Sequence, residues 1–377
     1  MIKIIVPNRR YRQNIPSLGE DLTNEELQDI CYSITGTKDF ELVKDNNRST
    51  GRYVEVRENE KVYFVGISNR EVGGRNSFVQ TIATIFSAYI NSNCKHKKLC
   101  YYFLKFSGNN LTNYLKFCYR LMNTIGFDFI NPKVGFGKLV LQPYDKVTNI
   151  IKDRNVIRSI RSSNNSSYVT DEGYEYRIYG KAFGANSKET ALICFAISFI
   201  TDKPVKLFQI MDNNSDSLSE NDKKAITKLN KIEIIDDTYI FDEEEISEDP
   251  ENIRSVRFIY NLLAKYGEKK CALCECEIPI LISGAHIWPV SDIKKTSLPI
   301  EKKKSHAADS NNGMWLCENH HKLFDANLLW FDETGNLILS QDLNESGTSF
   351  VNDITTQETI DINDKMLEYF KLRYQTK

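Results

Sequence analysis

The sequence predicts an α+β protein: a large, mixed N-terminal region followed by a small C-terminal module of different character. Three observations carry that reading. Alternating apolar segments and segments of helical spacing interleave through the first 240 or so residues. The chain then turns strongly acidic from Asp236 to Glu251 (DDTYIFDEEEISEDPE). After that stretch the composition changes: four of the five histidines (His286, His306, His320, His321), four of the nine cysteines (Cys271, Cys274, Cys276, Cys317) and all three tryptophans (Trp288, Trp315, Trp330) crowd into one short span.

In chain order, Arg52 to Ile67 reads as a β-hairpin turning at Glu58-Asn59-Glu60. Asn76 to Asn91 has helical spacing, with Phe78, Ile82, Ile85, Phe86 and Tyr89 on one face, and Asn113 to Ile125 repeats the pattern. Ile151 to Arg161 sets Arg154, Arg158 and Arg161 at i, i+4 and i+7, followed by the polar loop SSNNSSY. Tyr174 to Gly180 is a strand candidate, Gly180 to Asn186 a glycine-bearing turn, and Lys188 to Ile200 a buried helix. These elements make up a region of residues 1–240, with a subdomain break expected near 135–165. Residues 241–251, acid-rich and holding Pro250, are the expected linker. A helix from Asn252 to Tyr266, with Val256, Ile259, Tyr260 and Leu263 on one face, opens the C-terminal domain, 252–377.

Composition narrows the function classes. With 41% hydrophobic and 11% aromatic residues the chain can bury a core. A net charge of −2 gives no overall basic signature, so nucleic-acid contact has to come from local patches. The longest apolar run, Ala191 to Ile200, is about half of what a bilayer span needs. The N-terminus lacks the pattern of a signal peptide, and the protein is read as cytoplasmic, without a membrane partner. Nine cysteines, an odd number in a long chain, argue against a disulfide scaffold. Cys31, Cys94, Cys100, Cys118 and Cys194 sit mostly among apolar neighbours and read as buried thiols.

Cys271-Ala-Leu-Cys274 and Cys317-Glu-Asn-His320 are two metal-knuckle pairs. Together they supply a Cys₃His set, the closed tetrahedral coordination of structural Zn²⁺. Cys276 is a spare thiol that competes with Cys274, whose spacing is better. A small, lysine-rich module has little core of its own and needs such a staple.

Between and beyond the knuckles lie Gly284-Ala285-His286-Ile287-Trp288-Pro289 and Asn311-Asn312-Gly313-Met314-Trp315-Leu316-Cys317-Glu318-Asn319-His320-His321-Lys322-Leu323-Phe324-Asp325. This composite resembles the HNH, or ββα-metal, endonuclease family: a histidine ending one strand, Asn-Gly opening a second, then a helix with His-x-x-x-Asp. The resemblance implies hydrolysis of DNA phosphodiesters. It assigns His286 as general base, a task that neutral imidazole suits near pH 7. It gives Asn312 the task of holding the loop that positions the base, or of reaching the metal. His321 and Asp325, at i and i+4 of the helix, point the same way and suit two ligands of one divalent cation, Mg²⁺ or alternatively Mn²⁺. Adjacent helical residues diverge by about 100°, so His320 can face the zinc while His321 faces the catalytic metal. One departure stands out: many family members carry Asp or His where this chain has Ala285.

Lys294, Lys295, Lys302, Lys303 and Lys304 lie in the insertion between His286 and Asn312, read either as a phosphate-gripping loop or as a solvated one. The Arg154, Arg158, Arg161 stripe is read as a DNA contact or a plain charged helix face, and His306 as solvent-facing or a phosphate contact. Trp288, Trp315 and Trp330 read as core. An HNH module addresses backbone phosphate, so the preceding residues are expected to recognise the target. The layout resembles bacterial HNH restriction endonucleases. It implies a sequence-specific type II enzyme of host defence, acting on double-stranded DNA as a homodimer, with a cognate methyltransferase as genetic partner. The alternatives are a nuclease that requires methylated DNA and a zinc-stabilised DNA-binding protein that does not cut.

Overall fold

The computed structural model describes residues 4–6, 20–44, 53–68, 75–103, 112–130, 142–160, 167–182, 184–211, 218–236 and 256–375. The chain divides into two compact units: Met1–Val169 with Arg177–Asp236, and Asp237–Lys377 together with the short segment Thr170–Tyr176. The acidic stretch 241–251 lies outside the described residues. No described helix is long and apolar enough to cross a membrane.

In the first unit, β1 (Ile4–Val6) and β2 (Glu20–Leu22) pair antiparallel. Helix α1 (Asn24–Thr35) is bounded by its own sequence. Thr23 and Glu26 form a reciprocal capping box, and Gly36 closes the far end in the left-handed region at φ 76°. A five-stranded sheet follows in the order β3 (Glu41–Lys44), β4 (Val54–Glu58), β5 (Lys61–Ser68), β6 (His96–Phe103), β7 (Phe127–Ile130). The expected hairpin is β4–β5, and Asn59 turns it at φ 52°, a conformation asparagine tolerates. Strands β5, β6 and β7 run parallel, so each joint needs a crossover; α2 (Arg75–Asn91) and α3 (Asn113–Thr124) supply them. One core cluster joins Leu27, Ile30 and Cys31 of α1 to Val54, Val56, Val65, Ile67, Cys100 and Tyr102 of the sheet.

Beyond α4 (Val147–Ile160), a second sheet has the order β11 (Ile232–Asp236), β10 (Val205–Ile210), β9 (Tyr176–Lys181), β8 (Tyr168–Asp171), with α5 (Gly184–Ile200) and α6 (Glu220–Lys228) between its strands in sequence. Helix α5 starts at Gly184, four residues before the expected start at Lys188. Phe86 of α2 meets Phe195 of α5 at 4.5 Å between ring centroids, and Ser87 donates to Asp222 of α6. Elements from both sides of 135–165 therefore pack against one another. Of the scattered cysteines, Cys31, Cys100, Cys118 and Cys194 are buried, whereas Cys94 is half-buried.

The arginine stripe is corrected at its first member. Arg154 is 3% exposed, and its guanidinium lies 2.8 Å from the Glu189 carboxylate of α5. It is an internal ion pair, not a surface for phosphate. Removing either partner strands a buried charge, a loss of about 3–5 kcal/mol. The side chain of Arg158, and all of Arg161, lie outside the described residues.

The second unit opens with α7 (Val256–Tyr266) and is built round a hairpin of β12 (Ile282–His286) and β13 (Gly313–Cys317). Its register pairs Ile282 with Cys317 and His286 with Gly313. The segment expected to be a loop between these strands is instead two short helices, α8 (Val290–Lys295) and α9 (Ile300–Ala308), each preceded by a proline that cannot donate to a helix. Helix α10 (Glu318–Asp325) leaves β13 directly, completing a ββα unit. A small hairpin of β14 (Leu329–Phe331) and β15 (Leu337–Leu339), then α11 (Glu345–Ile354) and α12 (Asp364–Gln375), complete the unit. Trp288 and Trp315 are buried and Trp330 is half-buried.

Two glycines let α7 lie close on the hairpin. A Cβ on Gly284 would come within 2.7 Å of Leu262 and 2.9 Å of Phe258. One on Gly313 would run into the Phe258 ring and come within 2.9 Å of the Ala285 carbonyl oxygen. Gly313→Ala is therefore expected to overpack this joint and cost about 1–3 kcal/mol. A denaturant titration of the second unit's transition checks this; an unchanged midpoint would refute the packing argument.

Candidate metal centres and active site

The Cys₃His set converges. The ligand atoms of Cys271, Cys274, Cys317 and His320 all lie within 4.8 Å of one another. His320 Nδ1 is 3.5 Å from Cys271 Sγ and 3.2 Å from Cys317 Sγ, and Cys274 Sγ is 3.8 Å from Cys317 Sγ. Local chain geometry brings them there. Cys271 N–H donates to Cys276 O and Ala272 N–H to Trp315 O, which docks the first knuckle on β13, while Leu273 N–H lies 3.5 Å from Cys271 Sγ. Cys276 contributes this carbonyl, and its thiol is outside the cluster.

The fit to Zn²⁺ rests on the donors and on the state of His320. Thr355 Oγ1 donates to Val351 O, so toward His320 Nε2, 3.1 Å away, it accepts. Nε2 therefore carries the proton, and the Nδ1 lone pair faces the sulfurs, the tautomer a metal needs. His320 is fully buried. Burial and the neighbouring sulfurs push the Cys274 thiol up to about 12, so a bound cation is what would hold these groups as thiolates. Soft thiolates with one imidazole match zinc.

His286 closes β12. It stacks on Phe258 of α7, with centroids 3.8 Å apart and planes 16° from parallel. Its Nε2 lies 2.9 Å from Ala307 O at the end of α9. A carbonyl only accepts, so Nε2 carries the proton and Nδ1 is the basic nitrogen. Asn312 is fully buried and acts on the chain just beyond His286. Its Oδ1 accepts from Trp288 N–H at 2.7 Å, and its Nδ2 donates to Trp288 O and His306 O, each at 3.1 Å. Ile287 N–H donates to Asn312 O. The asparagine thus ties the residues after His286 to the helix that holds the imidazole.

On α10, one turn separates His321 from Asp325, and His321 Nε2 lies 3.2 Å from Asp325 Oδ2. Ser283 Oγ is 2.7 Å from His321 Nδ1. The imidazole is buried and the carboxylate exposed. Two donors at this separation fit neighbouring positions on one divalent cation, and the serine hydroxyl can accept from Nδ1–H, leaving the Nε2 lone pair for the metal. Ala285, fully buried, offers no donor. Among the described residues the Cys₃His set is the one convergent group of three or more metal-binding side chains, so His286 is not drawn into a shared cluster with His321 and Asp325.

The lysines fall on the two short helices. Lys294, Lys295 and Lys302 are exposed, whereas Lys303 and Lys304 are half-buried. Lys295 pairs with Asp292, Lys304 with Glu301, and Lys303 donates to Lys294 O. His306 is corrected: it is half-buried, with Nδ1 3.0 Å from Tyr369 Oη and its ring against Trp288. Phe258, Ser283, Ala307 and Thr355 escape sequence reasoning. Each acts through one contact with a histidine, and none has a motif of its own.

Zinc removal is expected to abolish the second unit's unfolding transition, and Thr355→Val to weaken zinc binding about 10–100-fold by leaving Nε2–H without its acceptor. Competition against a chromophoric chelator measures this; equal affinity of variant and wild type would exclude the tautomer argument.

Set against known proteins, residues 271–332 match the family model described as HNH endonuclease. No curated protein matches the chain. The matched span opens at Cys271 and runs past Asp325, taking in both knuckles, the hairpin and α10. These residues, with a histidine ending β12 and a second one on α10 beside a carboxylate, constitute an HNH endonuclease module.

Proposed function

We propose that this protein is a divalent-metal-dependent endonuclease that hydrolyses phosphodiester bonds of double-stranded DNA. One observation carries it: Ala307 O accepts a hydrogen bond from His286 Nε2–H, so the basic nitrogen of the imidazole at the end of β12 is Nδ1. In the reaction, Nδ1 accepts a proton from water as the water oxygen attacks phosphorus. Phe258 and Asn312 hold the imidazole and its loop against movement during that transfer. His321 and Asp325 would hold the cation, Mg²⁺ or Mn²⁺. When bound, it neutralises developing phosphorane charge and stabilises the leaving oxygen. Lys294, Lys295 and Lys302 are exposed and would contact backbone phosphates to position the duplex.

The finer reading is a sequence-specific type II restriction endonuclease. What supports it is the layout: a folded first unit with a five-stranded and a four-stranded sheet precedes a module whose chemistry addresses only the phosphate backbone. Target recognition is the task left to that unit. Cutting both strands of a symmetric site takes two active sites, hence a homodimer. Protection of the host's own DNA calls for a partner methyltransferase. Ala285 favours one other reading, a module that holds DNA without cutting it.

Plasmid cleavage by wild type and His286→Ala, on methylated and unmethylated DNA, tests these readings. Expected are discrete, EDTA-sensitive fragments from unmethylated DNA and a loss of about 10²–10⁴-fold in His286→Ala. His321→Ala and Asp325→Ala should raise the Mg²⁺ concentration needed for half-maximal rate. Cutting confined to methylated DNA replaces the type II reading with a modification-dependent one. Binding without cutting by wild type withdraws the catalytic roles.

A further inference from the structure

We propose that Arg373 of α12, outside the matched span, is a positioning residue for this chemistry: its guanidinium fixes the backbone after His286 relative to the end of the helix that carries His321 and Asp325. The inference rests on the nuclease reading above.

Arg373 is 3% exposed. A guanidinium is costly to bury unless its donors are used. Here Nη1 donates to Ile287 O at 3.0 Å, and Nη2 donates to Phe324 O at 2.6 Å and Asn327 Oδ1 at 3.0 Å. Nε donates to the same Asn327 oxygen at 3.3 Å, and the guanidinium carbon stands 4.1 Å from the Phe324 ring centre. Ile287 follows His286 directly and precedes Trp288, the residue Asn312 grips. Phe324 precedes Asp325. One rigid planar group thus sets the spacing between the segment of the base and the segment of the carboxylate. Burial lowers the Arg373 pKa, while Asp325 heads the charges that raise it.

The identity of the side chain follows. Two carbonyls on different elements must be met at fixed separation by donors of one planar fork, which a lysine ammonium on a flexible stem cannot imitate. Phe324 O is also among the last carbonyls of α10, where a cation is favoured by the helix dipole. The same helix reaches His286 by a second route. Tyr369, one turn earlier, donates to Asp309 Oδ2 and contacts His306, which flank the end of α9 where Ala307 O holds His286.

The test uses the full chain with Arg373→Lys and Arg373→Ala. It measures zinc content and thermal unfolding, kcat and KM on plasmid DNA with Mg²⁺, and the ¹⁵N signals of labelled histidine, with His286→Ala identifying the His286 resonances. The expected result is that Arg373→Lys keeps its zinc, its unfolding transition and its KM. Its kcat falls about 100-fold, the scale of a misplaced reacting group, and its His286 Nε2–H signal shifts. Guanidinium ion added to Arg373→Ala should restore part of the rate. Wild-type kcat and unmoved His286 signals in Arg373→Lys overturn the proposal. So does loss of zinc and of the folding transition in both variants, which assigns Arg373 to stability alone. A wild-type chain that cuts no DNA removes the nuclease reading, whereas a shifted His286 signal in folded Arg373→Lys upholds the positioning role independently.

Discussion

Three sulfurs and one imidazole nitrogen converging within 4.8 Å are the constraint on which the second unit depends. The hairpin strands are five residues each and α10 is eight, too short to stand without cross-links. The Cys₃His set lies where the first knuckle, the end of β13 and the first turn of α10 meet. A cation there joins three elements at once. Cys317 pairs with Ile282 at one end of the hairpin, and His286 sits at the other. The Cys₃His set therefore sits at one end of a two-strand hairpin whose other end carries His286, the base of the proposed reaction.

Helix α10 serves both sites through its periodicity. His320 turns to the sulfurs and His321 toward Asp325 and Ser283, as a step of about 100° per residue demands. Any rotation of α10 about its axis moves both at once. The two sets of side chains stand on one helix and share no residue.

Much of this was legible in the sequence because ligand chemistry demands particular residue types at short spacings. Within each knuckle, and within the i, i+4 pair of α10, the two residues stand at most four positions apart, so the pattern shows in the sequence. What was hidden depends on long-range packing. Phe258 lies off the apolar face read for α7, because that helix is covered on more than one side. Arg154 looked like part of a surface stripe, yet its partner Glu189 is 35 positions on, in another helix. The loop expected to carry Lys294 to Lys304 folds into two helices, with some of its lysines exposed and others half-buried. Ala307 contributes only a backbone oxygen, and no side-chain pattern can announce that.

Ala285 shapes the proposed chemistry more than any single residue present. Its side chain shares a face of β12 with Ser283, whose hydroxyl meets His321, so a carboxylate or imidazole at 285 would add a donor on that side. With a buried methyl there, the protein offers one imidazole and one exposed carboxylate. A hard divalent cation held by such a pair would need further oxygen ligands from water or substrate phosphate. On the proposed reading, metal and DNA then bind cooperatively, because each supplies what the other lacks. The precision lost from a sparse ligand set must come from the protein around it, from Asn312 at the loop, from Phe258 under the imidazole, and from the buried network that α12 brings against both.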